Sequence, residues 1–231
     1  MKENQKIKMD LLKEFAVTSD PKSVSFCREA YKFLTEEEPK GKAADIESVP
    51  ERLPDGVYVI YDGDLVSRFD ENCEKEGIRA VGIVQYGHAF GVALKDKGKF
   101  ALVKDYEKCP KEHPSYRDRE CDAMFDWECV ERTKHIQEVG TDIPLEDGEY
   151  IPSLPMLVAM CHYADKGLNE ALELAGGEPL DMDEEYWSST ESNRTYARIV
   201  YFSSGNAYNY SKCSGLVVRP VTAFPIKAQA L

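Results

Sequence analysis

The sequence predicts an α+β fold, on three observations. Between residues 53 and 103 stand four short runs rich in β-branched and aromatic residues, separated by glycines and an Asp-Gly pair. Residues 120–174 instead space their apolar side chains at helical intervals. Residues 186–221 return to the alternation of half-buried strands. Strands and helices are therefore grouped along the chain, as in α+β proteins.

Taken in order, residues 1–50 read as an N-terminal extension and linker, 51–224 as the main domain and 225–231 as a tail. Lys6 to Phe15 has the length of a short helix, and Asp20-Pro21 has the form of an N-cap with proline at the first helical position. Val24, Cys27, Tyr31 and Leu34 then share a helical face, although Val24 and Phe26 also alternate as in a strand. Thr35 to Pro54, with its acids and prolines, reads as a linker. Gly56 to Tyr61 ends at Asp62-Gly63, a hairpin signal, and Ala80–Val84, Ala89–Leu94 and Lys99–Val103 complete a meander. Gly82, Gly87 and Gly91 mark bulges or close backbone approach. None has the spacing of a phosphate loop, so nucleotide binding has no support.

Glu120 to Val139 reads as the longest helix, with Phe125, Cys129, Arg132, Ile136 and Val139 near one face and Gly140 as its stop. Pro152-Ser-Leu-Pro155 opens a further helix whose apolar stripe is Met156, Leu157, Met160 and Cys161. Asp165-Lys-Gly167 turns the chain into Leu168–Leu174, stopped by Gly176-Gly177.

The terminal stretch breaks in composition from everything before it. The chain carries 42 Asp and Glu, yet none follows Ser192. Between Ser192 and Leu216, 14 of 25 residues are Tyr, Ser, Asn or Gly. Tyrosine offers rigid amphipathic area at small entropic cost and the small polar residues offer adaptable hydrogen bonds, so this mixture suits a recognition surface. Arg198–Phe202 and Gly215–Val221 have the form of two strands. If Val200 and Phe202 point into the core, a period of two turns Ile199 and Tyr201 outward. An ordinary Tyr-rich hairpin without ligand has the same composition.

The order Ile151-Pro-Ser-Leu154, Leu168-Asn-Glu-Ala-Leu172, Gly176-Gly-Glu-Pro-Leu180, Tyr186-Trp-Ser-Ser-Thr-Glu191, Phe202-Ser-Ser-Gly205 and Val218-Arg-Pro-Val221 resembles bacterial and phage proteins of the C-type lectin fold. It is similar in particular to the gut-Bacteroides type whose C-terminal segment is diversified by a retroelement acting on adenines. The resemblance runs from about Leu53 to Phe224 and is densest over the last 80 residues or so. It implies a C-type lectin-like fold with a small N-terminal extension. It also implies a fixed frame of Trp187, Ser188, Ser189, Thr190, Glu191, Tyr196, Ala197, Val200, Phe202, Gly205, Lys212, Val218 and Arg219. The variable, ligand-facing positions it implies are Ser192, Asn193, Arg194, Thr195, Ile199, Tyr201, Asn206, Tyr208, Asn209, Tyr210, Ser211, Cys213, Ser214 and Leu216. Each of these is a residue that an AAC codon reaches by changing only its adenines. Arg198 departs from the pattern, which more often has an aromatic there.

Bulk properties narrow the function. A formal charge of −13 argues against a nucleic-acid partner, which requires clustered Lys and Arg. Seven cysteines without a CxxC pair read as reduced thiols. No run approaches 18 apolar residues and the N-terminus has no apolar leader, so membrane insertion is not expected and the location by sequence is cytoplasmic, with a phage particle or another export route as the way out. His135 and His162 lack zinc spacing. Asp181-Met-Asp-Glu-Glu185 reads as a solvated acidic loop rather than a cation site, and Glu178-Pro179-Leu180 lacks the amide of calcium-dependent sugar binders. No metal or cofactor is expected. Lectin-like relatives include formylglycine-generating oxidases, but Cys213 beside Lys212 has no paired thiol or triad, so the expectation is a non-catalytic protein binding a protein or a surface glycan. The alternative is a self-associating homo-oligomer that buries the tyrosines.

Overall fold

In the computed structural model, which describes residues 53–62 and 65–224, the chain runs β1 (Gly56–Tyr61), β2 (Val66–Arg68), β3 (Ile78–Gln85), β4 (His88–Val92), β5 (Lys99–Phe100), α1 (Glu120–Met124), α2 (Cys129–Val139), β6 (Glu149–Tyr150), α3 (Leu154–Tyr163), α4 (Asn169–Leu174), β7 (Glu185–Glu191), β8 (Tyr196–Tyr201), β9 (Asn206–Ser211), β10 (Leu216–Val217) and β11 (Val221–Ala223). The fold is α+β with two sheets, ordered β2-β1-β3-β4-β11-β6 and β5-β10-β7-β8-β9. The expected helices within residues 1–50 and the tail 225–231 lie outside the described residues.

Continuous apolar runs let β1 and β8 bury side chains on both faces of their sheets. In β1, Val57 and Val59 enter one core while Tyr58 and Ile60 enter another with Val84 and Phe224. The first core lies between the sheets, where Leu154, Leu157 and Met160 of α3 and Leu172 of α4 meet Val81 and Ile83 from one sheet and Tyr186, Val200 and Phe202 from the other. A second core lies on the far side of the five-stranded sheet: Trp187, Ala197, Ile199, Leu216 and Val218 pack under Leu102, Val103, Ile136 and Ile151. Each side chain of this size withdrawn from water contributes roughly 1.5–3 kcal/mol. Close approach also fixes Gly82, where a Cβ would stand 2.5 Å from the Phe224 ring.

Three elements differ from the sequence expectation. Gly215–Val221, expected as one strand, is divided between β10 of the five-stranded sheet and β11 of the six-stranded one. Lys99–Val103 does not extend the meander: only Lys99 and Phe100 are strand, and they pair with β10 in the other sheet. The helix expected over Glu120–Val139 is broken at Phe125–Glu128, where Phe125 is exposed and Asp126 buried. Asp126 receives two hydrogen bonds of 3.0 Å from the Arg132 guanidinium. On one continuous helix these residues would lie roughly 120° apart around the axis and more than a turn apart along it, so the break lets the buried carboxylate and its cation meet.

Candidate functional site

The site is built from the inside outward, beginning with Tyr186-Trp-Ser-Ser-Thr-Glu191 on β7. Tyr186 and Trp187 enter the two cores on opposite faces, and Trp187 Nε1 donates to the Phe100 carbonyl at 2.9 Å. The buried hydroxyls are used: Ser188 donates to the Arg198 carbonyl at 2.8 Å, and Thr190 Oγ1 accepts the Leu154 N–H at 3.0 Å at the start of α3. Glu191 and Lys212, both fully buried, form an ion pair between the end of β7 and the end of β9. The Lys212 ammonium also lies 3.8 Å from Cys109 Sγ and 5.0 Å from the centre of the Tyr116 ring. Arg219, also buried, is held by the Asp96 carboxylate at 2.5 Å and by the carbonyls of Ala93, Glu178 and Pro179. A buried charge stripped of its partner is destabilising by several kcal/mol, so these pairs specify the frame closely.

On that frame the fourteen sequence-designated positions separate. Asn193, Asn206, Tyr208, Asn209, Tyr210 and Cys213 are exposed, and Arg194, Thr195, Tyr201, Ser211 and Ser214 are half-buried. Ser192, Ile199 and Leu216 are buried, which corrects their assignment to a ligand-facing surface. Ile199 lies in the second core because the sheet is covered on both faces, so a period of two selects between two cores rather than between core and water. Leu216 pairs with Phe100 and joins the same core. Ser192 is enclosed by its own hairpin, its hydroxyl donating to Asn209 Oδ1 and its N–H to the Tyr196 carbonyl. Three exposed or half-exposed members serve the fold: Asn209 accepts the buried Ser192 hydroxyl, Asn193 Oδ1 accepts the N–H groups of Thr195 and Tyr196, and Arg194 is tied to Glu107 and to the Cys109 carbonyl. Of the expected frame, Tyr196 is exposed, and Gly205 forms the β8–β9 turn at a φ of 68° that favours glycine.

Tyr201, Ser204, Tyr208, Asn209 and Tyr210 come together around an open groove of 420 Å³. Tyr208 is 49% exposed and Tyr210 39%. Tyr208 meets Tyr201 edge-on at 5.2 Å, and Tyr210 meets the buried Trp187 edge-on at 6.5 Å. The rings are thus oriented by their neighbours while much of each stays exposed. Desolvation, then the Glu185 carboxylate, raises the Tyr201 phenol above its usual range, so this phenol donates and accepts hydrogen bonds at neutral pH. Ser204 was not singled out by sequence; its place in the Phe202-Ser-Ser-Gly205 turn is the signal that could have found it.

A second cluster was also missed. His135 of α2 stacks on His113 at 4.0 Å and stands 3.5 Å from Glu191, with Ser115 Oγ 2.5 Å from His113 Nδ1. Burial lowers the His135 pKa against the opposing pull of Glu191, and burial raises the Cys109 thiol. The cluster joins one segment, residues 109–115, to His135 and Glu191 farther along the chain, so no spacing announced it. Among the described residues no group of His, Cys, Asp and Glu is arranged to hold a metal ion, and the described cysteines are free thiols.

No family model matches the chain, and no curated protein matches it. In structure it is distantly similar to a fimbrial protein from Bacteroides ovatus, with a TM-score of 0.45 and 18% sequence identity over 74% of this chain and 49% of that one, so the chain spans about half of that protein's length.

Proposed function

We propose that the chain is a non-catalytic, receptor- or adhesin-like binding protein of C-type lectin-like fold, taking a protein or a surface glycan on the Tyr201–Tyr208–Tyr210 groove. The observation that carries this reading is the pair of exposed, neighbouring rings on β9 beside a strand anchored on both faces. Rigid tyrosines of this kind supply contact area without ordering cost on binding, and such residues dominate the energetics of interfaces. The groove is open, as a receptor face requires and as a water-excluding reaction chamber is not. Variation at Asn206, Tyr208, Tyr210 and Cys213 would change the ligand and leave the frame intact, whereas variation at Ile199 or Leu216 would not. The test is to screen the full chain against immobilised glycans and surface proteins, then to compare the Tyr208→Ala/Tyr210→Ala protein on whatever is captured. The expected result is at least tenfold weaker binding, about 1.4 kcal/mol, with the folded state preserved. Unchanged affinity in the double variant, or loss of binding through substitution at His113 instead, would contradict the proposal.

A further inference from the structure

The edges of the two sheets are unequal. Three of them, β2, β5 and β6, are only three, two and two residues long, the short form that discourages pairing with another chain. The fourth, β9, runs six residues in unbroken register with β8 and contains no charge, proline or glycine. It therefore lacks the shortness, charge, proline and bulge that usually blunt an edge, in a chain of net charge −13.

The ladder phase shows which amides are free to pair. The Lys212 N–H donates to the Thr195 carbonyl at 3.0 Å, just beyond the Tyr196–Ser211 pair. In an antiparallel pair such bonded positions alternate, so Tyr210, Tyr208 and Asn206 turn their backbone groups toward β8. Ala207, Asn209 and Ser211 turn theirs outward, and these three are symmetric about Asn209. The Ser211 carbonyl already accepts the Ser214 N–H at 2.9 Å, and a carbonyl has a second lone pair for a further bond.

We propose that β9 is a homodimer seam: it pairs antiparallel with β9 of a second copy, Asn209 opposite Asn209, joining two five-stranded sheets into one. This register is the one that pairs all three outward residues, Ala207 with Ser211 and Asn209 with itself. The two-fold axis stands perpendicular to the sheet, so like faces coincide and Tyr208 stands opposite Tyr210 of the second copy on the same side. No charge faces a like charge along the strand, which lets two strongly acidic bodies meet there. Two tyrosine grooves then lie side by side, an arrangement that adds avidity to weak single sites. The seam stands whether or not those grooves take a ligand.

Sedimentation velocity on the full chain tests it. The native protein is expected at dimer mass. Tyr208→Lys/Tyr210→Lys and Tyr208→Glu/Tyr210→Glu proteins are each expected at monomer mass, and their mixture at the mass of a heterodimer. In the native protein, amide exchange at Ala207, Asn209 and Ser211 slows as concentration rises while that at Tyr208 and Tyr210 does not; this decides the matter even if the charged variants fail to fold. A native monomer at the highest soluble concentration, including one whose β9 is taken by a strand of a different protein, overturns the proposal. So does a dimer that both charged variants leave intact.

Discussion

β8 and β9 are the two arms of one hairpin, paired residue for residue from Tyr196–Ser211 to Tyr201–Asn206, yet they live in different solvents. Ala197, Arg198, Ile199 and Val200 are buried on both faces, whereas Asn206, Tyr208, Asn209 and Tyr210 are exposed on both. The difference arises from position: β8 lies inside the sheet between two cores, and β9 is its last strand. Exposed side chains and the buried frame are thereby separated by a single strand spacing.

Breaking the inner side should cost most. Lys212→Ala leaves Glu191 buried without its cation and is expected to lose about 3–5 kcal/mol of stability in chemical denaturation. Glu191→Leu with Lys212→Met removes both charges and should recover most of that loss. Next in size, Ile199→Ala is expected to lose about 2–5 kcal/mol by the same measurement, because it opens a cavity in the second core.

The inner side also carries a half-buried histidine. Burial holds the folded-state pKa of His135 below the ordinary 6.5, with Glu191 opposing in part. The unfolded chain therefore binds a proton first as pH falls. Stability declines from about pH 6.5 downward until the folded histidine protonates too, with no further gain on raising the pH above that window. A His135→Gln protein should show a shallower decline in acid, read from denaturation midpoints across pH 5–7 (roughly the histidine range). His88, likewise lowered by burial, contributes in the same direction and remains in the variant. The smallest effect belongs to the outer strand: Tyr208→Ala and Tyr210→Ala should each shift stability by less than about 1 kcal/mol, since each gives up one edge-on ring contact at the surface.

Much of this division was legible in the sequence. The Tyr/Ser/Asn/Gly composition marked the hairpin, and Gly140, Pro155 and Gly176-Gly177 marked helix ends near where they occur. Ile199 was misplaced because alternation identifies two faces of a strand without saying that a second layer covers the outer one. The broken helix at Phe125 was hidden because Asp126 and Arg132 give no periodic signal for a buried pair. Lys99-Phe100 pairs with Leu216-Val217 more than a hundred residues away, and local pattern carries no information about which sheet a short strand joins. The stacked His113 and His135 were hidden for the same reason.

The most direct test of a fixed frame under a permissive outer strand is a saturation substitution scan from Ser192 to Leu216, scored for the amount of folded protein. A fixed frame predicts broad tolerance at Asn206, Tyr208, Tyr210 and Cys213, against narrow apolar tolerance at Ile199 and Leu216 and near-complete intolerance at Lys212. Equal intolerance at Tyr208 and Tyr210 would contradict it, because those side chains would then be holding the fold together.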